Sequence, residues 1–185
     1  MAPDVIVVGG GTAGCVVAAI LSEDPACEVL LLEAGPDFPT VADLPADVAN
    51  GAEPTVNHDW GFVAERNAWG REIALPRAKL VGGCSATNAA FWFRGWPADY
   101  DGWAAAGNPG WSYDDLLPTM QALGSVPLTH VSEVELAPLQ SAFIEAALAA
   151  GQAAVDDHNR PGPVGVGPMT RNTRDGVRMS TAQTH

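Results

Sequence analysis

Basic residues are scarce in this chain. Lysine and arginine total 9 against 22 aspartates and glutamates, giving a formal net charge of −13. That balance sets the chain against nucleic acid and against anionic membrane surfaces, both of which attract positive charge. Cysteine is nearly as rare. Cys15, Cys27 and Cys84 are far apart and form no C-x-x-C pair, which removes a zinc site and a disulfide framework and leaves simple thiols of a reducing compartment. The four histidines (His58, His130, His158, His185) are scattered and show no metal-ligand spacing. No apolar run approaches the length needed to span a bilayer. The N-terminus lacks a basic segment ahead of its first apolar run, so the expectation is no signal peptide and a cytoplasmic protein. What remains is an acidic globular chain of 185 residues, 47% hydrophobic, long enough for one domain with a real core.

The chain is organised around residues 4–35. Asp4 to Val8 is rich in β-branched residues and reads as a buried strand. Gly9, Gly11 and Gly14 follow in the spacing G-x-G-x-x-G. Ala13 to Leu21 is small and apolar and reads as a helix that ends before Pro25. A second apolar strand, Val29 to Leu32, ends on Glu33, 19 residues past Gly14. Each part has a physical task. Gly9 permits the tight turn out of the strand, Gly11 lets backbone come close to a pyrophosphate, and Gly14 lets the helix pack against the sheet. The helix N-terminus offers free N–H groups and a positive dipole end to phosphate. A carboxylate at Glu33 accepts from ribose hydroxyls and repels a 2′-phosphate, which favours FAD or NAD over NADP. The plainer alternative is a glycine turn in an ordinary α/β domain with Glu33 merely solvated.

Beyond Glu33, Ala34-Gly35-Pro36 turns the chain, and residues 36–59 read as a surface excursion. Trp60–Glu65 and Glu72–Leu75 read as short strands about a turn at Asn67–Arg71, or as a loop across the sheet. Residues 76–95 carry Gly82-Gly83, then the small residues Cys84 to Thr87, then Asn88 before an apolar run. That composition suits a wall for a flat ring; it suits equally a glycine turn entering a packed helix. Pro97 to Ala106 reads as a helix with Trp103 turned inward, and Trp92, Trp96, Trp103 and Trp111 read as core and domain-interface packing, with pocket lining as the alternative. Ser112 with Asp115 predicts a capping box. Pro138 to Gly151 predicts an amphipathic helix whose apolar face carries Leu139, Phe143, Ala147 and Leu148. Asn172–Gly176 reads as a hairpin turn, and Ser180 as a helix cap.

Several of these segments together resemble the glucose–methanol–choline (GMC) flavin oxidoreductases. The N-terminal run resembles their FAD fingerprint, and RAKLVGGCSATN (77–88) resembles a family signature usually close to RGKVLGGSSSIN. RGWPADYDGWAAAGNPGWSYDDLLP (94–118), PLQSAFIEAALAAG (138–151), VDDHNRPGPVGVGPM (155–169) and RDGVRMSTA (174–182) continue the likeness. The resemblance implies an α/β fold, a Rossmann-like FAD-binding domain with a parallel sheet and flanking helices, incomplete at its C-terminus. It implies three parts: residues 1–120 as the first portion of the FAD-binding domain, 121–136 as a shortened substrate-domain insert, and 137–185 as a truncated return to the FAD-binding domain. The implied reaction is oxidation of a small-molecule alcohol to an aldehyde or ketone, with hydride passing to FAD; the electron acceptor is left open. A lyase or decarboxylase of the same family, or a remnant that binds nothing, stays as an alternative.

Carried over by position, the cofactor residues are Gly9, Gly11, Thr12, Ala13 and Gly14 at the pyrophosphate, Glu33 and Ala34 at the adenosine ribose, and Val81, Gly82, Gly83, Asn88, Ala89, Ala90 and Phe91 toward the flavin. Thr87 stands where some members attach FAD covalently through histidine, so the resemblance implies noncovalent FAD. No residue here matches the family's catalytic histidine, and the expectation is that the chain is a fragment without the base.

Overall fold

The structure, a computed structural model, describes residues 2–122, 126–132, 135–162 and 164–185. Residues 123–125, 133 and 134 of the 121–136 insert lie outside the described residues. The chain divides into two compact units, residues 1–90 with 173–185, and residues 91–172.

The first unit is built on a βαβ motif. Strand β1 (Val5–Val8) leads into helix α1 (Thr12–Leu21), which returns to strand β2 (Val29–Leu32). The two strands pair in parallel, with Val5 opposite Val29 and Val8 opposite Leu32. Their start is fixed by Asp4, whose backbone N–H donates to the Glu28 carbonyl and whose carboxylate accepts the Glu28 N–H, both at 2.9 Å. The sequence predicts strands buried on both faces. The structure covers one face only: Val5, Val7, Val29 and Leu31 are partly covered beside α1, whereas Ile6, Val8, Leu30 and Leu32 are exposed, Val8 to 83%. A continuous β-branched run cannot reveal which face is covered, because side chains alternate whatever lies opposite them.

After β2 come a 3₁₀ turn (Val41–Asp43), the short helix α2 (Ala46–Ala49) and a loosely paired excursion. The 60–65 and 72–75 segments do oppose each other, through a Val63–Ala74 bridge and the Ala64 N–H bond to the Ile73 carbonyl, without forming a continuous ladder. A second 3₁₀ turn (Gly83–Ala86) follows. Late in the chain, strands β7 (Thr173–Arg174) and β8 (Val177–Arg178) form the expected hairpin, turning through Asp175 and Gly176. Both turn residues have positive φ, 52° and 78°, the conformation an Asp-Gly pair adopts in tight hairpins. Ser180 then caps helix α6 (Thr181–Thr184), its hydroxyl accepting the Ala182 N–H. The apolar core of this unit is Val48, Leu80 and Ala86, flanked by Phe38, Leu44 and Ala78.

The second unit carries three helices, α3 (Pro97–Ala105), α4 (Tyr113–Ala122) and α5 (Pro138–Ala149). Its short strands pair β3 (Thr129–His130) with β6 (Thr170–Arg171), and β4 (Ala153–Ala154) with β5 (Gly165–Val166). Asn159, itself buried, ties the loop before β5 to the 91–95 segment. Its side chain accepts the Arg94 N–H at 2.8 Å and donates to the Trp92 carbonyl at 3.2 Å. The predicted box at α4 is present, with Ser112 Oγ accepting the Asp115 N–H and Asp115 accepting in return from Ser112.

One expectation for this unit is corrected, that for Trp103. Trp103 is not turned inward: it is 49% exposed and packs edge-on against Tyr100 and Trp111. Trp96 and Trp111 are exposed to a similar degree, and Trp103 and Trp111 pack edge-on at the surface of this unit. The apolar face of α5 is also open. Leu139 and Phe143 are exposed and, with Val166 and Met169, line a groove of about 550 Å³. Helical periodicity identifies the apolar side and is silent on whether anything covers it. No helix among the described residues is long and apolar enough to cross a membrane.

Candidate functional site

The site is built where β1 turns into α1. Gly9 leaves the strand at φ 98°, and its carbonyl then lies against the first turn of α1. A Cβ on Gly14 would sit 1.9 Å from that carbonyl oxygen, so glycine is required there for the helix to approach the strand end. Gly11 is different. It caps α1 with ordinary extended backbone and no side-chain cap, and a Cβ placed on it would meet nothing within 4 Å. The N–H groups of the first helical turn therefore begin beside open space.

Glu33 closes the other side. Its carboxylate accepts the Gly10 N–H at 2.8 Å through one oxygen and the Gly35 N–H at 2.9 Å through the other. The side chain thus ties the end of β2 to the glycine loop of β1. A carboxylate oxygen keeps a second lone pair, so these bonds leave capacity for hydroxyl donors.

The second glycine turn packs directly on the first. The Gly82 N–H donates to the Gly10 carbonyl at 2.7 Å, and that same carbonyl accepts the buried Cys15 thiol at 3.2 Å. Cys15, read from sequence as an incidental thiol, therefore holds the loop. Gly83, at φ 54°, lies so close to Gly11 that a Cβ on it would fall 2.6 Å from the Gly11 Cα. The turn is also the entry to a packed 3₁₀ segment, with Ser85 and Ala86 buried. Of the two sequence alternatives for residues 82–88, this is the glycine turn entering a packed helical segment.

A cavity of about 490 Å³ opens at this junction, lined by Val8, Gly9, Gly11, Leu32, Glu33, Ala34, Trp60, Ala78 and Gly83. It joins five of the residues singled out from sequence: Gly9, Gly11, Glu33, Ala34 and Gly83. Thr12, Ala13 and Gly14 form the helix start behind it. Gly82 is buried beneath the cavity, and Val81 faces instead a separate pocket between α1 and α6. Asn88 lines a third pocket with His58, Arg77 and Thr87, and its side chain accepts the Ala90 N–H at 2.8 Å. Ala90 is wholly buried, with positive φ, and Ala89 is partly covered. Phe91 belongs to the second unit and is 46% exposed, with the Arg171 guanidinium 5.5 Å from its ring.

Sequence reasoning missed Trp60. Its ring lines the cavity, stacks on Phe62 and carries the Lys79 ammonium 4.7 Å from its centroid. It also missed Gly35, where a Cβ would lie 1.9 Å from the Lys79 carbonyl; the Ala-Gly-Pro turn was the available signal. Arg178 was missed too, since nothing in its local sequence marks it apart from Arg171 and Arg174. It is buried, and burial pushes its guanidinium below the usual arginine range, opposed by the nearby Asp47 charge. Asp47 itself is held below the usual carboxylate range, first by the Thr55 hydroxyl at 2.6 Å and also by the Asn57 amide at 2.9 Å.

A parallel βαβ unit with a close-packed glycine junction and an acid at the tip of the second strand defines the Rossmann-like class of nucleotide-binding folds. The comparisons narrow this. The GMC oxidoreductase family model matches residues 3–185, and the chain belongs to that family. It is 36% identical to the pyridoxine 4-oxidase of Microbacterium luteolum over 97% of this chain and 38% of that protein. It is likewise 36% identical to the glucose dehydrogenase [FAD, quinone] of Drosophila pseudoobscura pseudoobscura, over 97% of this chain and 32% of that one. The crystal structure of pyridoxine 4-oxidase from Mesorbium loti superimposes with a TM-score of 0.88 at 36% identity, covering 99% of this chain and 39% of that one. The chain thus spans between about a third and two fifths of the length of these relatives.

Proposed function

We propose that this chain binds FAD, without a covalent link, and serves as the cofactor-holding part of an oxidoreductase that acts on the CH–OH group of a small-molecule alcohol. The observation that carries the reading is the cavity at the β1–α1 junction, with an uncapped helix start on one side and the Glu33 carboxylate on the other. Open space at Gly11 beside crowding at Gly14 and Gly83 is what a backbone cradle for a pyrophosphate requires. The family, and a relative whose printed name includes FAD, favour a flavin over a nicotinamide nucleotide.

In this reading Gly11, Thr12 and Ala13 offer backbone N–H groups to the phosphates. Glu33 uses its remaining lone pairs for ribose hydroxyls, and Ala34 and Trp60 close the apolar wall. Gly82 and Gly83 bring the second turn against the first, while Val81 and Asn88 line other pockets and take no part in this cavity. The cofactor, when bound, accepts hydride from the alcohol carbon. We assign the proton acceptor to none of this chain's histidines. None of the four lines the cavity.

The test is a calorimetric titration of the apoprotein with FAD and, separately, with NAD. Saturable FAD binding at micromolar or lower concentration, with NAD far weaker, is expected. NAD binding as tight as FAD, or no binding of either, overturns the proposal.

A further inference from the structure

Arg178 is an arginine with 1% exposure whose hydrogen bonds go to backbone carbonyls. One terminal nitrogen donates to the Ala86 carbonyl at 2.7 Å, and the other donates to the carbonyls of Asn50 and Glu53, each at 2.5 Å. Its Nε has no partner among the described residues. Burying a cation is costly, and a hydrophobic side chain of similar volume would fill the space without that cost. What the planar fork adds is direction, because its donors fix the relative positions of the segments they bond. Here those are α2's exit, the end of the Gly83–Ala86 turn, and β8.

Three residues further on, at Thr181, the same C-terminal segment grips the turn again. Ser85 Oγ donates to the Gly82 carbonyl at 2.6 Å and accepts the Thr181 N–H at 3.1 Å. A Cβ on Gly82 would lie 2.7 Å from the Ser180 hydroxyl, so Gly82 is seated directly against this segment. Gly82 in turn bonds the Gly10 carbonyl, and Gly83 abuts Gly11. A continuous set of short contacts therefore runs from Arg178 and Thr181, through the 82–86 turn, to the glycine loop ahead of α1.

We propose that residues 177–181 form a brace that sets the 82–86 turn against the Gly9–Gly14 loop, with Arg178 and Ser85 as positioning residues for the nucleotide cradle. This rests on the reading of the cavity as the FAD site. The brace meets the glycine loop through the turn, and its Thr181 end also lies beside α1, so its loss loosens the geometry of the site before any cofactor is present.

The experiment uses the protein expressed from its natural reading frame, with Arg178→Lys, Ser85→Ala and, as a control, Val48→Ala, which shortens a core side chain of the same unit without removing a brace hydrogen bond. Two readouts are taken: hydrogen exchange of the 82–88 amides in the apoprotein, and the FAD dissociation constant. Arg178→Lys is expected to speed exchange at 83–88 and to raise the dissociation constant at least tenfold. Ser85→Ala is expected to do the same more weakly. Val48→Ala is expected to lower the melting midpoint while leaving the dissociation constant within twofold. Unchanged exchange in both brace variants overturns the brace; so does a Val48→Ala variant whose affinity falls in proportion to its lost stability. If Arg178→Lys does not fold, Ser85→Ala alone decides. If the unmodified protein takes no FAD, the functional reading fails and the cofactor half of the proposal with it, while the exchange data still decide whether the brace exists.

Discussion

The two units of this chain hold themselves together in different ways. In the unit formed by residues 1–90 and 173–185, backbone approaches backbone, and the close contacts are occupied by glycines that no other residue can replace. Buried polar groups join its parts: Arg178 to three carbonyls, Ser85 to Gly82 and Thr181, Cys15 to Gly10. In residues 91–172 the helices rest on few buried side chains. Tyr113 is the buried member of α4, none is buried in α3 or α5, and large apolar groups are exposed. The first arrangement is specified by geometry and is intolerant of added atoms. The second is specified by pattern, and single changes on its open faces cost little.

That contrast can be broken by substitution. The largest effect is expected from Gly14→Ala, which drives a methyl group into the Gly9 carbonyl. The helix must shift, at a cost of about 3 kcal/mol, measurable as a lowered denaturant midpoint; a change under about 0.5 kcal/mol, the range of ordinary surface changes, would show that α1 does not need this approach. Next comes Glu33→Gln, which keeps one acceptor and turns an amide NH₂ toward a backbone N–H. Losing a charged acceptor there should destabilise by about 2 kcal/mol, and chemical denaturation at neutral pH checks it.

A smaller effect concerns acid. Asp47 is held below its usual range in the folded state, so its contribution to stability is complete above the unfolded carboxylate value, about 4. That contribution is lost as pH falls through the depressed folded value. Asp47→Asn should therefore flatten the loss of stability below about pH 4, and parallel acid curves for the two proteins would remove Asp47 from the account. Smallest of all is Phe143→Ala in the second unit. At 67% exposure the ring should be dispensable to within about 0.5 kcal/mol. A loss several times larger would mean that the α5 face is covered, and the contrast between the units would fail.

Much of the first unit was legible in the sequence for a physical reason. The β1–α1–β2 pattern is local, its glycines sit where only glycine fits, and Glu33 stands at the strand tip. The second turn was less legible. Gly82-Gly83 announces a close approach but not to what, and only the fold shows that the neighbour is Gly10 and Gly11. Trp60 was illegible because the cavity it lines is formed by residues far from it in sequence, such as Gly9 and Glu33, and Arg178 because it bonds carbonyls 92 to 128 residues away. Burial was misjudged at Trp103 because residue size and periodicity report what a side chain would favour, not what stands opposite it.

Gly11 separates the site from the scaffold. Its backbone angles suit any residue, and an added methyl would meet no protein atom. A weaker cap and a less flexible unfolded chain roughly offset each other, leaving stability within about 0.5 kcal/mol. The decisive measurement is the FAD dissociation constant of Gly11→Ala beside its melting midpoint: the account requires affinity to fall at least tenfold with the midpoint unmoved. Affinity equal to that of the unmodified protein would mean that no phosphate rests on that backbone.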